Sequence, residues 1–376
     1  MNKLRTNPFS FGNPVQGEYY LQRPELRSTV VGFIENRINV VLIGPRRFGK
    51  TSFVLDLLQS LEKNHVCIFA DIFNITSHRD FLQQMLRAIK TKSTLGQRFK
   101  EWAEGMTRLK PRLGWDTAAD GQMSFSLSVD VTSDHDIKET IQDVLSGLKS
   151  LGRNVVVAID EFQKIAELEE QGWLEATLRS QMQQLTNTAF VLTGSRQGII
   201  RDMLNNQSRP FYRSAQPIEF PVFGEEFTNW IIQRFSGVGV NCNRAAIEKL
   251  RADVQNTPNY VQMACFHLVA QGVTNVTTSE VESVLKTMVR QNSYAYQTLL
   301  NSMTLMQQRV LRLAAKEGEQ IYAKGMLKKY EITSGPALAS ALKTLKNKQI
   351  LDESSTKGRV VFDDPLFAIW LRTEFS

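Results

Sequence analysis

The sequence has few cysteines, few histidines and no long hydrophobic run, and each shortage excludes a class of protein. Among its 376 residues are only 3 cysteines and 4 histidines. The cysteines are far apart, odd in number and without a C-x-x-C pair, which argues against a disulfide framework or a zinc site and favours a reducing cytoplasm. The longest apolar runs are strand-sized, so no membrane span is predicted, and the first residues contain no signal-peptide core.

The charge and composition are those of an ordinary globular chain. Lys and Arg total 45 against 38 Asp and Glu, which gives a net charge of +7. So mild an excess permits nucleic-acid binding without requiring it. Hydrophobic residues make up 42% of the chain. Its length suffices for about two or three domains with a buried core.

Short apolar segments alternate with helical segments over the first 223 residues. This alternation predicts an α/β domain with a three-layer parallel sheet. Residues 91–136 interrupt it and are predicted to be an insertion at the sheet edge, with a hairpin strand at residues 123–131. The predicted strands of the sheet are residues 39–43, 65–72, 154–159 and 189–193, followed by an extended segment within residues 211–222. The predicted helices are residues 24–36, 50–63, 79–91, 137–150 and 173–185.

The remaining chain has a different pattern. Residues 224–302 are predicted to be helical throughout, and residues 303–376 follow the order helix, helix, helix, hairpin that is typical of a winged helix. An unspecific helical tail is the alternative. The predicted helices of this last segment are residues 306–316, 323–330 and 334–348, and the predicted strands are residues 350–352 and 359–362.

Residues 44–51 match the phosphate-loop pattern G-x-x-x-x-G-K-[ST] at every fixed position. Glycines let the backbone N–H groups turn inward, and the following helix directs its positive end to the same point. We expect Lys50 to contact the β- and γ-phosphates and the Thr51 hydroxyl to bind Mg²⁺. A chance Gly-Lys-Thr in a loop is the alternative. The residues predicted to bind nucleotide here are Gly44, Pro45, Arg46, Arg47, Phe48, Gly49, Lys50, Thr51 and Ser52.

A second motif is the apolar strand at residues 154–159, which ends in two carboxylates, Asp160 and Glu161. A phosphate-loop enzyme needs an acid at the tip of a neighbouring strand to hold the magnesium shell, and Asp160 is predicted to be that acid. Glu161 is then the predicted base that orients the attacking water. The alternative is a helix start capped by acids, which is common.

The next strand ends in Thr193-Gly194-Ser195. Its tip should lie beside the γ-phosphate, where Thr193 or Ser195 would hydrogen-bond the water or the phosphate; a plain turn is the alternative. Arg196 is a candidate phosphate sensor. Arg209 and Arg213 are candidates for reading transition-state charge, within the chain or toward a neighbouring subunit, although an ordinary surface role is open for Arg209 above all.

These motifs together resemble the archaeal-type ATPases, a prokaryotic branch of the STAND and AAA+ related P-loop NTPases. The resemblance extends over nearly the whole chain and implies an ATP- and Mg²⁺-dependent P-loop domain at residues 1–223, a helical lid at 224–302 and a winged helix at 303–376. It also implies that Arg23, in the lead-in, and Pro258, in a lid turn, approach the nucleotide. The family's glycine in that turn is here Asn256, a residue that tolerates left-handed backbone.

Lysines concentrate in the segment that resembles a winged helix. Six lie between residues 324 and 348, against the single acid Glu331. Such modules meet DNA with their second and third helices, and lysine without arginine favours backbone contacts over base readout. Many winged helices contact only proteins, which is the alternative. The lysines are Lys324, Lys328, Lys329, Lys343, Lys346 and Lys348.

Two functions follow from these observations. The first is an ATP-hydrolysing switch whose winged helix contacts DNA or a protein partner. The second is a nucleotide-gated DNA-binding regulator with negligible hydrolysis; a scaffold without nucleotide is disfavoured by the intact phosphate loop. ATP is favoured over GTP because no guanine-reading Asn-Lys-x-Asp is present. The sequence leaves the trigger and the oligomeric state open, a homo-oligomer included.

Overall fold

The computed structural model describes residues 6–90, 112–117, 123–128, 133–152, 154–168, 172–318, 321–323, 325–353 and 360–375. They form two compact units. Unit 1 contains the described parts of Met1–Leu21, Pro45–Gly49 and Val222–Ser376, and unit 2 contains those of Gln22–Gly44 and Lys50–Pro221. The predicted division at residues 223 and 302 stays a prediction.

Unit 2 contains a five-stranded, all-parallel sheet with the order β2-β5-β6-β1-β7. A separate antiparallel hairpin, β3 with β4, falls in the predicted insertion and confirms its hairpin strand. Residues 133–136 of the predicted insertion are also described and belong to the start of the helix Asp134–Gly147, so the insertion is predicted a few residues too long. The other residues of the insertion lie outside the described part. The strands are β1 (Val40–Ile43), β2 (Val66–Asp71), β3 (Arg112–Thr117), β4 (Met123–Ser128), β5 (Val155–Asp160), β6 (Thr188–Gly194) and β7 (Gln216–Glu219).

The central strands are buried on both faces, which explains their continuous apolar sequence. Every residue of β1, β5 and β6 is buried, as expected for parallel strands covered by helices. Alternate residues of these strands join the core formed with α3, α4, α6 and α7, and α2 packs on the sheet as well. The helices of unit 2 are α1 (Pro24–Glu35), α2 (Lys50–Leu61), α3 (His78–Lys90), α4 (Asp134–Gly147), α5 (Lys164–Leu168), α6 (Trp173–Gln184) and α7 (Gln197–Asn205).

The sheet order corrects one expectation. The sequence predicted that the acidic strand is a neighbour of the strand before the phosphate loop, but β6 lies between β1 and β5. Chain order does not determine strand order in a parallel sheet, because each crossover connection can skip a position. The strand that borders both motifs is therefore the one that ends in Thr193 and Gly194.

Unit 1 is mainly helical. The prediction of helices alone for residues 224–302 was wrong in one respect, because β8 and β9 form a short parallel pair there. Two-residue strands are too short to show an alternating pattern. The elements of this part are α8 (Glu225–Gly237), β8 (Asn241–Cys242), α9 (Arg244–Asp253), α10 (Pro258–Ala270), β9 (Asn275–Val276) and α11 (Thr278–Asn301).

The lead-in at the start of the chain is held against these helices. The Asn7 side-chain amide donates to the Phe266 carbonyl at 3.0 Å, and Arg234 Nε donates to the Pro8 carbonyl at 3.1 Å. Phe9 is fully buried, with its ring 4.7 Å from that of Phe235. Two polar contacts followed by an apolar anchor thus hold this irregular segment against the helices of unit 1.

The last part of unit 1 has the predicted order of three helices and a hairpin, followed by a helix that the sequence analysis missed. That helix, α15, buries Phe367 and Trp370, and the indole N–H of Trp370 donates to Ser293 Oγ on α11 at 3.0 Å. The second predicted helix, residues 323–330, is a single turn, and Lys324 lies outside the described residues. The elements are α12 (Leu305–Glu317), α13 (Met326–Lys329), α14 (Gly335–Asn347), β10 (Leu351–Glu353), β11 (Val360–Phe362) and α15 (Pro365–Glu374).

No helix in the described ranges has both the length and the apolarity that a membrane crossing requires.

Candidate functional site

The ends of the phosphate loop lie in unit 2. Lys50 is the first residue of α2, and its side chain is buried, with Nζ donating to the Gly44 carbonyl at 2.7 Å. Gly49, just before it, has a φ of 90°, a conformation that glycine adopts without strain. The loop therefore delivers a buried ammonium group to the N-terminus of a helix, where anions bind favourably.

Gly44 is required by a close approach of β7. A Cβ atom at this position would lie 2.8 Å from Phe220 Cβ, because the Phe220 amide donates to the Ile43 carbonyl at 2.7 Å. Arg23 is buried over the ring of Phe220, its guanidinium 4.4 Å from the ring centroid and hydrogen-bonded to the Pro221 carbonyl. The predicted nucleotide residue Arg23 thus packs in unit 2 beside the residue that confines Gly44.

Asp160, at the end of β5, collects hydrogen bonds from neighbouring elements. Its Oδ2 accepts from Thr51 Oγ1 at 2.5 Å, and its Oδ1 accepts from Thr193 Oγ1 and, at 3.0 Å, from the Glu161 amide. Asp160 is only 4% exposed, and a buried carboxylate needs such donors. The structure therefore brings together the side chains of Thr51, Asp160 and Thr193, and their predicted roles toward Mg²⁺ and phosphate stay predictions.

Glu161 turns away from the strand in a left-handed conformation, with a φ of 59°. Such backbone is strained for a residue with a side chain and is frequent at functional sites. Its Oε2 accepts from Ser195 Oγ at 2.8 Å and from Gln163 Nε2. The sequence did not point to Gln163, which stands two residues after Glu161. The motif does not show that the Gln163 amide is directed back to the Glu161 carboxylate.

Asp71 is a third carboxylate at the same edge of the sheet, and the sequence analysis also missed it. It ends β2 and lies opposite Asp160 in the strand register. Partial burial raises the pKa of Asp71, the hydrogen bond from the Phe73 amide lowers it, and the charges of Asp160 and Glu161 raise it further. The sequence contained a signal for Asp71, because it stands near the end of the predicted strand at residues 65–72, and the carboxyl ends of parallel strands lie at the same edge of a sheet.

The candidate arginines lie elsewhere. Arg209 pairs with the buried Glu175, at 2.8 Å, and Arg196 pairs with Glu167, at 2.6 Å. Arg213 is exposed and lies 5.1 Å from the Tyr212 ring centroid. Within the described ranges, no hydrogen bond or ion pair joins Arg213 to Asp160 or Glu161. Arg209 and Arg196 thus form ion pairs away from the two carboxylates, and Arg213 lies on the surface.

The middle of the phosphate loop belongs to unit 1, together with the predicted lid turn. Asn256 has a φ of 52°, so the asparagine adopts the left-handed conformation expected of the family's glycine. Pro258 follows as the first, buried residue of α10. From the same helix, Tyr260 Oη accepts a hydrogen bond from Arg47 Nη1 at 2.6 Å. Burial raises the pKa of Tyr260 above its ordinary value, which favours the neutral hydroxyl still further.

Arg46 and Arg47 also contact Asp363, which lies between β11 and α15. The closest nitrogen–oxygen distances to the Asp363 carboxylate are 3.6 Å for Arg46 and 3.9 Å for Arg47. Arg47 also donates to the Asp363 carbonyl at 3.4 Å, and Arg46 to Gln349 Oε1 at 3.3 Å. We call Arg46, Arg47, Tyr260, Gln349 and Asp363 the loop cluster. It joins the phosphate loop to residues of the predicted winged helix.

The oxygen donors at the end of β5 suit magnesium. Thr51 and Asp160 offer a hydroxyl and a carboxylate, hard ligands that Mg²⁺ accepts together with phosphate oxygens. In the described part of the chain, no three His, Cys, Asp or Glu side chains converge as a metal site. The residues therefore fit a cation that is held jointly with phosphates rather than one held by protein ligands alone.

The lysines near the end of the chain differ in their surroundings. Lys328 and Lys343 are exposed, and Lys346 is half-buried. Lys329 forms an ion pair with Glu317 at 2.6 Å, and Lys348 Nζ lies 3.7 Å from Met303 Sδ. Lys343 lies on the exposed side of α14, whose neighbouring surface residues Ala339 and Ser340 are small. This face of the helix can approach another molecule closely.

Two family models match the sequence. Residues 31–235 match a model described as an ATPase domain predominantly from Archaea, and residues 294–373 match one described as a probable winged helix domain. No curated protein matches this sequence.

Solved structures share the fold. The chain is similar to the Walker-type ATPase PABY2304 of Pyrococcus abyssi, with 18% identity and a TM-score of 0.63 over 98% of this chain and 99% of that chain. It is also similar to the ADP form of the ORC2 protein of Aeropyrum pernix, with 13% identity and a TM-score of 0.50 over 94% and 93% of the two chains. These similarities establish the architecture of the chain and nothing finer.

We expect Gly194→Ala to destabilise unit 2, because the added Cβ would lie 2.7 Å from Ile200 Cγ1 and 2.8 Å from Gln163 Oε1. Overpacking of this kind costs about 1–3 kcal/mol, which urea unfolding would measure. Gly198→Ala, in α7, is the matched control, since its Cβ would meet nothing within 4 Å and alanine favours a helix by about 0.5–1 kcal/mol. Equal stability of the two variants would contradict the expectation.

Proposed function

The chain belongs to the ATPase family found predominantly in Archaea, and from this premise we propose that it is an ATP-hydrolysing switch whose nucleotide state controls the contacts of its winged helix. The observation that carries the proposal is the Thr51–Asp160 hydrogen bond beside the buried Lys50. A hydroxyl, a carboxylate and an ammonium group at one helix start are the groups that a magnesium–triphosphate complex requires.

Residues 44–52 bind the phosphates in this proposal. Lys50 is buried with a backbone carbonyl as partner, and phosphate oxygens give it a stronger, charge-assisted partner. Thr51 and Asp160 would hold Mg²⁺, which neutralises phosphate charge when it is bound. The family resemblance assigns Arg23 and Pro258 to nucleotide binding as well.

Hydrolysis is assigned to Glu161. Two donors meet its Oε2, so that Oε1 is the oxygen left to accept a hydrogen bond from the attacking water. Thr193 and Ser195 support the two carboxylates and complete the catalytic group with Lys50. The exposed Arg213 would act only across subunits, on the nucleotide of a neighbouring copy in a homo-oligomer.

We expect Glu161→Gln to lower ATP turnover by about 10²- to 10⁴-fold, because a general base is lost while the phosphate loop stays intact. Phosphate release measures turnover, and equilibrium titration with Mg·ATP measures binding, which should be retained. Lys50→Ala is the comparison variant and should lose binding instead. Negligible turnover in the parent, unchanged in Glu161→Gln, would support the nucleotide-gated regulator in place of the enzyme.

Coupling to the winged helix is assigned to the loop cluster. The side chains of Arg46 and Arg47 are 33% and 41% exposed. Ion pairs of this kind are weak, about 0–1 kcal/mol each. A triphosphate carries more negative charge than Asp363 and can take over the two guanidinium groups. ATP binding would then release Asp363, and with it the segment that leads into α15.

We expect Asp363→Asn to bind Mg·ATP about two- to fivefold more tightly than the parent, because the competing carboxylate is removed at the modest cost of a partly exposed ion pair. Glu374→Gln is the matched control, since it removes one exposed negative charge from the same helix region. Fluorescence titration would measure both affinities. Affinity equal to that of the control would show that Asp363 does not compete with phosphate.

The winged helix is assigned to the DNA backbone, with a protein partner as the alternative. Exposed lysines on α13 and α14 supply positive charge, and small residues beside Lys343 permit close approach. Lysine is a point charge without the planar fork that reads guanine, so contacts with phosphate are favoured over base readout. The predicted contacts are Lys328, Lys329, Lys343, Lys346 and Lys348.

We expect reversal of Lys343 and Lys346 to glutamate to weaken duplex-DNA binding at all sequences alike. The slope of log affinity against log salt should fall by about 2, since each phosphate contact contributes about one. Fluorescence anisotropy across a salt series would measure this. Lys286→Glu, an exposed lysine on α11, is the charge control. DNA binding that ignores salt, or is undetectable in the parent, would favour a protein partner.

A further inference from the structure

Gln163 occupies a buried position directly behind Glu161. It is 2% exposed and lies in the turn that follows β5, which the Phe162 amide fixes by donating to the Thr193 carbonyl at 2.8 Å. Gln163 Nε2 donates to Glu161 Oε2 and lies 3.4 Å from Ser195 Oγ. Its amide therefore contacts both the assigned base and the serine that donates to the same carboxylate oxygen.

Folding alone does not explain an amide at this position. Gln163 Oε1 is buried and has no hydrogen-bond partner among the described residues, and an unpaired buried acceptor costs free energy. Together with Ile200, the side chain restricts position 194 to glycine, since a Cβ there would lie 2.8 Å from Gln163 Oε1 and 2.7 Å from Ile200 Cγ1. A methionine would fill the same space without a polar atom to satisfy. The acceptor of the amide is thus unfavourable for stability, whereas its donor contacts Glu161 and Ser195, which points to a use of the donor.

We propose that Gln163 is a positioning residue for hydrolysis: with Ser195 it fixes Glu161 Oε2 and so directs Oε1 to the attacking water. Two donors on one oxygen restrict rotation of the carboxylate, and orientation of a base is a large part of its catalytic effect. In this proposal Gln163 acts only through Glu161. The inference rests on the proposed hydrolysis at Glu161 and adds the residue that orients it.

The test is Gln163→Met, which keeps the length of the side chain and removes its donor. Single-turnover hydrolysis should slow by about 10- to 100-fold, the effect of one lost hydrogen bond to a charged group. Affinity for a non-hydrolysable ATP analogue with Mg²⁺ should be unchanged, because the phosphate loop is untouched. Gln184→Met is the matched control: Gln184 is an exposed glutamine whose amide donates to Ser180 Oγ at 3.0 Å.

A double-mutant comparison separates positioning from a merely structural role. In a Glu161→Gln background, Gln163→Met should cause no further loss of rate, because the carboxylate that Gln163 orients is gone. A structural role would instead slow both backgrounds and weaken analogue binding. If thermal unfolding shows that Gln163→Met does not fold, Gln163→Asn, whose shorter amide falls short of Glu161, carries the same expectation.

The outcomes differ for the two proposals. Turnover in the parent with equal or faster turnover in Gln163→Met overturns this inference and leaves the hydrolysis proposal standing. Additive losses in the two backgrounds overturn it as well. A parent chain without turnover overturns the hydrolysis proposal, and the positioning role with it.

Discussion

The hydrogen bonds that end on Asp160 are the constraint on which the site of unit 2 depends. A carboxylate buried at a strand end needs donors. Its donors come from the start of α2, from the end of β6 and from the Glu161 amide, directly after Asp160 in the chain. Each donor can serve only if its element lies in one place. The donors Thr51 and Thr193 are therefore fixed beside Asp160, and Lys50 and Ser195, which are close to them in the chain, are placed at the same edge of the sheet. The polar groups to which we assign ATP chemistry are arranged by the same contacts that satisfy this buried carboxylate.

The loop cluster shows a different use of charge. Its arginines stand in the middle of the phosphate loop, and their partner Asp363 stands 316 residues further along the chain from Arg47. Half-exposed ion pairs add little to stability, so they are better suited to exchange than to support. Unit 1 thus connects the nucleotide motif to the winged-helix segment by contacts that a stronger anion can displace.

Much of the fold was predictable from the sequence, because it rests on local patterns. The continuous apolar runs gave β1, β5 and β6, and fixed spacing gave the phosphate loop; the family match at residues 31–235 and the winged helix at 294–373 confirm the resemblance. Side-chain direction was out of reach. Gln163 follows Glu161 in the chain, yet only the left-handed turn at Glu161 brings its amide back to the carboxylate. Strand order and α15 depend on tertiary packing, which a linear pattern does not encode.

Gly194 was open to interpretation as an ordinary turn residue, but packing explains it better. Its φ is not left-handed, and a methyl group would collide with Ile200 and Gln163. Its identity is therefore tied to two side chains, Gln163 before it in the chain and Ile200 after it. Over evolutionary time the three positions should change together: a lineage gains room for alanine at 194 only when residues 163 and 200 both become shorter.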